Sequence, residues 1–441
     1  MLSDIFNIKN ENKNIKDITD YEVFSDKLLL DNIRKKVIKS LIDSDIKDKE
    51  QLKTFMNNEI DKALEGYDLT NLERNHVFNM IENEVNGYGP ITELLENENI
   101  TEIMVNGPND IYIEIEGKLI KENSISFIND DHILRTIERI VQPLGRNIDT
   151  ANPMVDARLE DGSRVNAIIP PLSIKGPVLT IRKFRKDMYT IEDILRAGTL
   201  TPYMARFLEA AVKAKLNIII SGGTGSGKTT LLNVISSFIE DSERIITIED
   251  AAELKLQQKH VISLETRNDN VENEGEVTVR DLLRNCLRMR PDRIIVGEVR
   301  GPEALDMLQA MNSGHEGSIT TLHANNAYDS LNRLETMLLL SANNLPLNAI
   351  REYIADAIDI IVHIDRLSDG KRRITSICEV SDIKDDIIIL EEIFAFNQTG
   401  LTENNNVIGE FILYDFIPKV YDKIKNKGIK DLEDIFIEKG E

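Results

Sequence analysis

The sequence predicts an α/β protein in which a parallel sheet with packed helices follows an α+β domain and a small N-terminal helical bundle. In the second half of the chain, short apolar runs alternate with helical patterns, and such alternation is typical of a parallel sheet. The region before it has short β-type runs separated by turn residues, and apolar residues at helical spacing come first. The 441 residues exceed the roughly 250–300 at which a single core stops growing, so at least two domains are expected.

The elements of the first half follow from composition and periodicity. Residues 1–20 are rich in Asn, Lys and Asp and are predicted to form a mobile tail. Apolar residues at helical spacing across 21–84 predict the helical bundle. Residues 88–186 are predicted to form the α+β domain, with one helix over Asp131–Leu144 and a hairpin turn at Asp161-Gly162. Its predicted strands are Glu102–Val105, Ile111–Ile115, Val155–Leu159, Arg164–Ile169 and Val178–Lys183.

The second half begins after a segment of mixed polar residues, 187–200, which is predicted to be the linker between domains. Thr201-Pro202 is a helix start signal, and from there to residue 441 we predict one domain with a C-terminal extension. The elements predicted in it are the strands Asn217–Ser221, Arg244–Glu249 and Arg293–Gly297 and the helices Thr229–Ile239 and Val279–Met289.

The composition describes a globular chain with a strong negative charge. Hydrophobic residues make up 41% and charged residues 29% of the chain, as in ordinary folded proteins. Asp and Glu number 76 against 53 Lys and Arg, which gives a net charge of −23. Nucleic-acid binding depends on the neutralisation of phosphates by basic residues, so we expect no nucleic-acid partner. The basic run from Lys419 to Lys430 could contact an anionic lipid surface, but we interpret it as a solvated face.

No apolar run is long enough for a membrane span or a signal peptide. Polar residues such as Asp4 and Glu11 interrupt the N-terminal region, and the run Met337–Leu340 is far shorter than the roughly 18 residues that a span needs. We therefore predict a cytoplasmic protein that reaches the inner face of the cell membrane only through partners. Cys286 and Cys378 lack metal-ligand or CxxC spacing, so we expect buried free thiols.

The strongest functional signal is a glycine-rich run after the strand Asn217–Ser221. It matches GxxxxGK[ST] in full and leads into a predicted helix, as a phosphate-binding P-loop does. Glycines let backbone N–H groups wrap a phosphate, and the helix N-terminus favours the anion. We therefore predict an ATP site in which Lys228 reaches the β and γ phosphates and Thr229 ligates Mg²⁺. The predicted nucleotide-binding residues are Gly222, Gly223, Thr224, Gly225, Ser226, Gly227, Lys228, Thr229 and Thr230.

Acidic residues follow two of the predicted parallel strands. The carboxyl ends of such strands meet at one edge of a sheet. One strand leads into the acidic box Glu249–Glu253, and another leads into Glu298. Either acid alone could be a solvated carboxylate, but their joint placement after a P-loop favours roles in orienting water and in binding the metal.

Four segments in this order resemble the type II and type IV secretion ATPases. They are the P-loop, TIEDAAE (Thr247–Glu253), RPDRIIVGEVR (Arg290–Arg300) and SGHEGSITTLHAN (Ser313–Asn325). Within that superfamily, three segments resemble the CpaF/TadA group, which powers tight-adherence (Tad/Flp) pili. They are PMVDARLEDGSRVNAIIPP (Pro153–Pro171), LTIRKF (Leu179–Phe184) and the run from Leu216 to about Glu335. The resemblance covers roughly residues 88–380.

The resemblance implies a RecA-like P-loop domain preceded by a PAS-like α+β domain. It also implies that Glu253 activates or positions water and that Glu298 is the Walker B acid, which acts on Mg²⁺. The resemblance makes His323 a sensor of the γ-phosphate, whereas His315 is more readily explained as a hydrogen-bonded structural histidine. Arg300 could instead pack against the acidic box.

Three arginines of the preceding domain are implied to reach the phosphates: Arg158, Arg164 and Arg182. Each of them could equally form a salt bridge with local acids. As a whole, the resemblance implies a hexameric ring that couples ATP hydrolysis to pilin polymerisation, and to its reversal, through inner-membrane platform proteins. A type IV secretion ATPase that moves protein or DNA stays open, as does a nucleotide-gated scaffold that does not hydrolyse. The presence of both Glu253 and Glu298 argues against the scaffold.

Overall fold

The computed structural model describes residues 32–34, 36–38, 40, 44, 49–67, 70–115, 117–184, 189–267, 275–341, 345–429 and 432–436. The chain divides into two compact units, the first ending at Lys186 and the second beginning at Asp187. The predicted tail, 1–20, lies outside the described residues. The domain boundaries predicted within each unit remain predictions.

In the first unit, helical residues at 32–34 and 36–38 pack against two longer helices. These are α1, Lys49–Leu64, and α2, Asn71–Asn86, and their apolar faces form one cluster. Helix α2 begins with a capping box, in which Thr70 and Glu73 accept each other's backbone N–H. The remaining helices of this unit are α3, Thr92–Glu96, and α4, Asp130–Val141.

A six-stranded antiparallel sheet forms the rest of the first unit. Its strand order is β3-β2-β1-β6-β5-β4. The strands are β1 (Ile100–Val105), β2 (Ile111–Ile115), β3 (Lys118–Glu122), β4 (Met154–Arg158), β5 (Arg164–Ile168) and β6 (Val178–Arg182). Alternate residues such as Val165 and Ile181 are buried in one cluster with Ile133 and Ile137 of α4, because successive side chains point to opposite faces. The five strands predicted here are confirmed to within two residues.

The second unit is built on a nine-stranded sheet of order β15-β14-β13-β12-β7-β11-β10-β8-β9. The strands are β7 (Ile218–Gly222), β8 (Ile245–Glu249), β9 (Val261–Glu265), β10 (Arg293–Val296), β11 (Ile319–His323), β12 (Ile360–Arg366), β13 (Arg372–Lys384), β14 (Ile387–Leu401) and β15 (Val407–Leu413). Neighbours from β12 to β9 run parallel, and β13 to β15 pair antiparallel. The predicted α/β class is confirmed.

Helices cover both faces of the parallel strands. They are α5 (Ile191–Arg196), α6 (Pro202–Lys213), α7 (Lys228–Ser236), α8 (Val279–Cys286), α9 (Glu303–Asn312), α10 (Ala327–Ser341), α11 (Leu347–Ala357), α12 (Val420–Asn426) and α13 (Glu433–Phe436). All residues of β7, β8 and β10 are buried, as expected for parallel strands between two helical layers. Ile218 packs with α6 and α7, whereas Ile219 packs with α8 to α11.

Three sequence predictions can be compared with these elements. Thr201 caps α6 and Pro202 is its first residue, as predicted. Cys286 and Cys378 are buried free thiols, and burial raises the pKa of each to about 12. The predicted linker 187–200 contains α5.

In the part of the chain that the structure describes, no helix combines the length and apolar character required to cross a bilayer.

Candidate active site

The glycine-rich run forms a tight loop between β7 and α7. Gly225 and Gly227 have φ angles of 71° and 100°, in the left-handed region that favours glycine. A Cβ atom on Gly222 would lie 2.2 Å from the carbonyl oxygen of Ile364 and 2.5 Å from Ser226 Oγ. The glycines are therefore required by backbone conformation and by close approach, as the motif predicts.

Lys228 is the first residue of α7, and its side chain folds back across the loop. Its Nζ donates to the carbonyl oxygens of Gly222, at 3.0 Å, and Gly223, at 2.9 Å. Burial lowers the pKa of Lys228, and the nearby Glu298 carboxylate opposes that shift. The ammonium group is thus held over the loop at the place where a phosphate would bind.

His323 and Glu298 reach the same place from neighbouring strands. His323 ends β11 opposite Gly222 of β7, and both of its ring nitrogens lie 3.4 Å from Lys228 Nζ. Glu298 follows β10, and its Oε1 lies 3.4 Å from His323 Nε2. Burial lowers the pKa of His323, the Lys228 charge lowers it further, and Glu298 acts in the opposite direction. The structure therefore brings together three of the predicted site residues, with an imidazole that is neutral near pH 7.

The acidic box turns from the end of β8 onto the P-loop helix. Glu249 is buried, and its Oε1 accepts the N–H groups of Glu253, at 2.8 Å, and Leu254, at 3.1 Å. The Lys255 N–H donates to Asn233 Oδ1 at 2.9 Å, one helical turn after Thr229. Glu253 is therefore held beside the first turns of α7.

Arg300 forms an ion pair with Asp250 of the acidic box, so the alternative left open by the sequence is confirmed. His315 lies before β11, at the edge of the sheet opposite the P-loop. Its N–H donates to the Ala310 carbonyl at 3.3 Å, and its own carbonyl accepts Ser318 Oγ at 2.8 Å. Both contacts use the backbone of His315. The imidazole Nδ1 is buried without a hydrogen-bond partner among the described residues, so the structure does not show the hydrogen-bonded imidazole that was expected at this position.

The loop fits a phosphate group. Ser226 Oγ is buried without a hydrogen-bond partner among the described residues, and Thr229 and Thr230 are half-buried on the first turn of α7. The first-turn N–H groups of a helix have no intrahelical acceptor, so they can bind an anion. Among the described residues, no group of three or more His, Cys, Asp or Glu side chains could hold a metal by itself. Mg²⁺ would thus depend on phosphate oxygens together with Thr229 and Glu298.

The three arginines of the first unit form a row across three strands. Arg158 lies opposite Arg164, which lies opposite Arg182. Residues directly opposite each other share one face of the sheet. Arg158 donates from Nε to the Gly162 carbonyl at 3.2 Å, and Arg182 Nε lies 3.8 Å from Glu102 Oε1. Arg182 therefore has a local acid as its partner, which is the alternative that the sequence left open for it.

Two contacts to the P-loop were not predicted from the sequence. His363 of β12 is buried, with its Nδ1 2.8 Å from Ser221 Oγ, and burial lowers its pKa. Arg372 donates from Nε to the Gly225 carbonyl at 3.2 Å. The only signal of His363 in the sequence is one polar residue inside an apolar run. Its partner is set by the pairing of β12 with β7.

The fold and the loop define a protein of the α/β class that contains a P-loop. The chain belongs to the type II/IV secretion system protein family, whose model matches residues 84–417. This match confirms the superfamily to which the four sequence segments point.

Curated relatives agree with that family, and a solved structure is also similar to part of the chain. A Mycobacterium tuberculosis protein named for conjugal transfer is 36% identical over 304 residues, which cover 68% of this chain and 86% of that protein. The type IV secretion system protein VirB11 of Bartonella henselae is 34% identical, with 65% of this chain and 90% of VirB11 covered. The crystal structure of the Brucella suis VirB11 ATPase with sulphate shares 29% identity, covers 67% of this chain and 97% of that one, and has a TM-score of 0.37.

Proposed function

We propose that this chain is an ATP-hydrolysing motor of the type II/IV secretion class. The observation that carries the proposal is the convergence of Lys228, His323 and Glu298 at one P-loop, with 3.4 Å between successive groups. Lys228 follows β7, His323 ends β11 and Glu298 follows β10, and these three strands are adjacent and parallel. A loop that only binds nucleotide needs the lysine and the backbone donors. The added carboxylate and neutral imidazole are groups that cleavage of a phosphoanhydride would use.

Each residue has a role that its position supports. Lys228 and the P-loop N–H groups stabilise charge on the β and γ phosphates. Glu253 orients the attacking water and accepts its proton, while His323 donates to the γ-phosphate and responds to its loss. Mg²⁺, held with the nucleotide by Thr229 and Glu298, supplies further charge neutralisation when bound. The row of Arg158, Arg164 and Arg182 offers three cations to the phosphates, from the same chain or from a neighbouring subunit.

For the cargo, we infer the pilin subunits of a Tad/Flp-type pilus. The segment Pro153–Pro171 supports this inference through its resemblance to the CpaF/TadA group. A type IV secretion ATPase that moves protein or DNA is the second candidate, because relatives are named for conjugal transfer and type IV secretion. Either function would use a homo-oligomeric, hexameric ring at the inner face of the cell membrane, attached to platform proteins. Deleting the gene and scoring surface pili against protein or DNA transfer separates the two.

Steady-state phosphate release by the full chain, with Mg²⁺ and after chelation, tests the enzymatic part. Lys228→Ala should abolish turnover and weaken nucleotide binding, because it removes the cation from the phosphate site. Lys425→Ala is a matched control, since Lys425 is an exposed lysine of α12. A wild-type chain that binds ATP without releasing phosphate would establish a scaffold instead. Wild-type turnover in Lys228→Ala would contradict the site.

A further inference from the structure

Glu249 is a buried acid to which neither the motifs nor the proposed chemistry gives a role. It ends β8 with a side chain that is only 4% exposed. Its Oε2 has no hydrogen-bond partner among the described residues, although the atom is buried. Burying a carboxylate with one unpaired oxygen costs free energy, so such a group in a native site calls for a functional reason.

One carboxylate oxygen of Glu249 binds the backbone at the far end of the acidic box. Its Oε1 accepts the N–H groups of both Glu253 and Leu254. Glu265, which lies opposite Glu249 on β9, accepts the preceding N–H, that of Ala252, at 3.2 Å. Two strand-end carboxylates therefore bind three successive backbone donors, and the backbone of Glu253 lies in the middle of them.

The other side of Glu249 touches the backbone that carries Glu298. A Cβ atom on Gly297 would lie 2.9 Å from Glu249 Cγ, so the Glu249 side chain packs directly on Gly297. Gly297 is itself fixed, because its N–H donates to the Ile248 carbonyl at 2.8 Å and its carbonyl accepts Thr321 Oγ1 at 2.6 Å. The next residue is Glu298. One side chain thus contacts both chain segments that present the acids of the site.

We propose that Glu249 is a positioning residue that fixes Glu253 relative to Glu298. The proposal rests on the proposed function, because it assigns both acids to hydrolysis. The Glu249 side chain is long enough to place Oε1 where it accepts hydrogen bonds from the backbone. Its negative charge is not required for this role. Burial raises the pKa of Glu249 to about 7, so the protonated form, with Oε1 still accepting, is available at neutral pH. A glutamine side chain reproduces that form.

Two conservative variants separate position from charge. Glu249→Gln keeps the reach and the acceptor oxygen, so kcat should stay within about threefold of wild type. Glu249→Asp keeps the charge but shortens the side chain by one methylene, which withdraws the acceptor from Glu253 and Leu254. Its kcat should fall about 10²-fold, the usual cost of misplacing a group by about 1 Å, with the Kd for nucleotide nearly unchanged. A loss in Glu249→Gln, or wild-type kcat in Glu249→Asp, would overturn the proposal.

A second measurement does not depend on turnover. Hydrogen exchange of the Glu253 and Leu254 amides should be slow in the wild type and in Glu249→Gln, and faster in Glu249→Asp. Gly297→Ala disturbs the same contact from the Glu298 side, and it should lower kcat without speeding those amides. Equal exchange in all variants would contradict the anchoring role. A wild-type chain with protected amides but no phosphate release would instead refute the proposed hydrolysis and leave the anchoring intact.

Discussion

The residues of the site differ in the property that matters for their proposed roles, which is the charge of the side chain, its length or the space that it leaves. Glu253 and Glu249 lie four positions apart in one acidic box, yet only Glu249 is fully buried. Burial and then the Lys228 charge lower the pKa of His323, and the Glu298 carboxylate opposes that shift. Substitutions that change one property at a time can therefore assign each role.

Replacing Glu253 by Gln should leave ATP binding close to wild type, while turnover falls by about 10²–10⁴, the usual worth of a positioned base. Fluorescent-nucleotide titration and phosphate release measure the two quantities on the same sample. Glu352→Gln, an exposed glutamate of α11, is the matched control. Equal loss of binding and turnover would assign Glu253 a structural role.

Glu249 should also make stability depend on pH. Its pKa is raised from 4.5 to about 7, so the folded chain binds more protons than the unfolded chain between these values. The stability from this protonated form is complete below pH 4.5 and is lost as pH rises through 7, by up to about 3 kcal/mol. Glu249→Gln cannot ionise, so its Tm relative to wild type should be higher at pH 8.5 than at pH 5. A difference that does not change with pH would contradict the shift.

At the scale of elements, the loop between β7 and α7 depends on its glycines to different degrees. Gly222→Ala places a Cβ against the Ile364 carbonyl, whereas Gly223→Ala meets no atom within 4 Å and needs no left-handed φ. Gly222→Ala should therefore lower the Tm of the nucleotide-free chain by several degrees and abolish ATP binding. Gly223→Ala should leave that Tm nearly unchanged. Similar Tm values for the two variants would show that the Gly222 contact is easily relieved.

The elements show which parts of the fold a sequence can reveal. Strands such as β5 are visible because one face is buried, so apolar residues alternate. The P-loop is visible because its glycines are set by local geometry. The strands β11 and β12 were not predicted. Their places beside β7 depend on pairing between segments that are distant in the sequence. The contacts of Glu249 and His363 could not be predicted for the same reason. The partners of each residue are brought close to it only by the order of the strands in the sheet.

At the scale of the whole molecule, we expect catalysis to depend on an assembled ring. The arginine row and the catalytic acids lie in different compact units, so they can act on one nucleotide only if separate bodies come together. If the contact crosses subunits, specific activity should rise with protein concentration. Mixing Arg164→Ala chains with Glu253→Gln chains should then recover activity, because hybrid rings combine one intact arginine with one intact acid.

Arg196→Ala is a suitable control for this mixing experiment, since Arg196 is an exposed arginine of α5. It should be active alone and gain nothing on mixing. Concentration-independent turnover from a verified monomer would remove the intersubunit contact.

The position of β12 governs how far a disturbance at the P-loop travels. This strand is hydrogen-bonded to β7 along one side and to β13 along the other, so β7 cannot slide past β13 without breaking one of these two ladders. The hydrogen-bonded ladders therefore couple β7 to the outer strands β13, β14 and β15. Four inter-strand spacings from β7 to β15 amount to about 19 Å, so a tilt of about 10° at β7 would move the outer strand by about 3 Å. For the motor proposed above, the displacement of the outer strand would therefore scale with the width of the sheet.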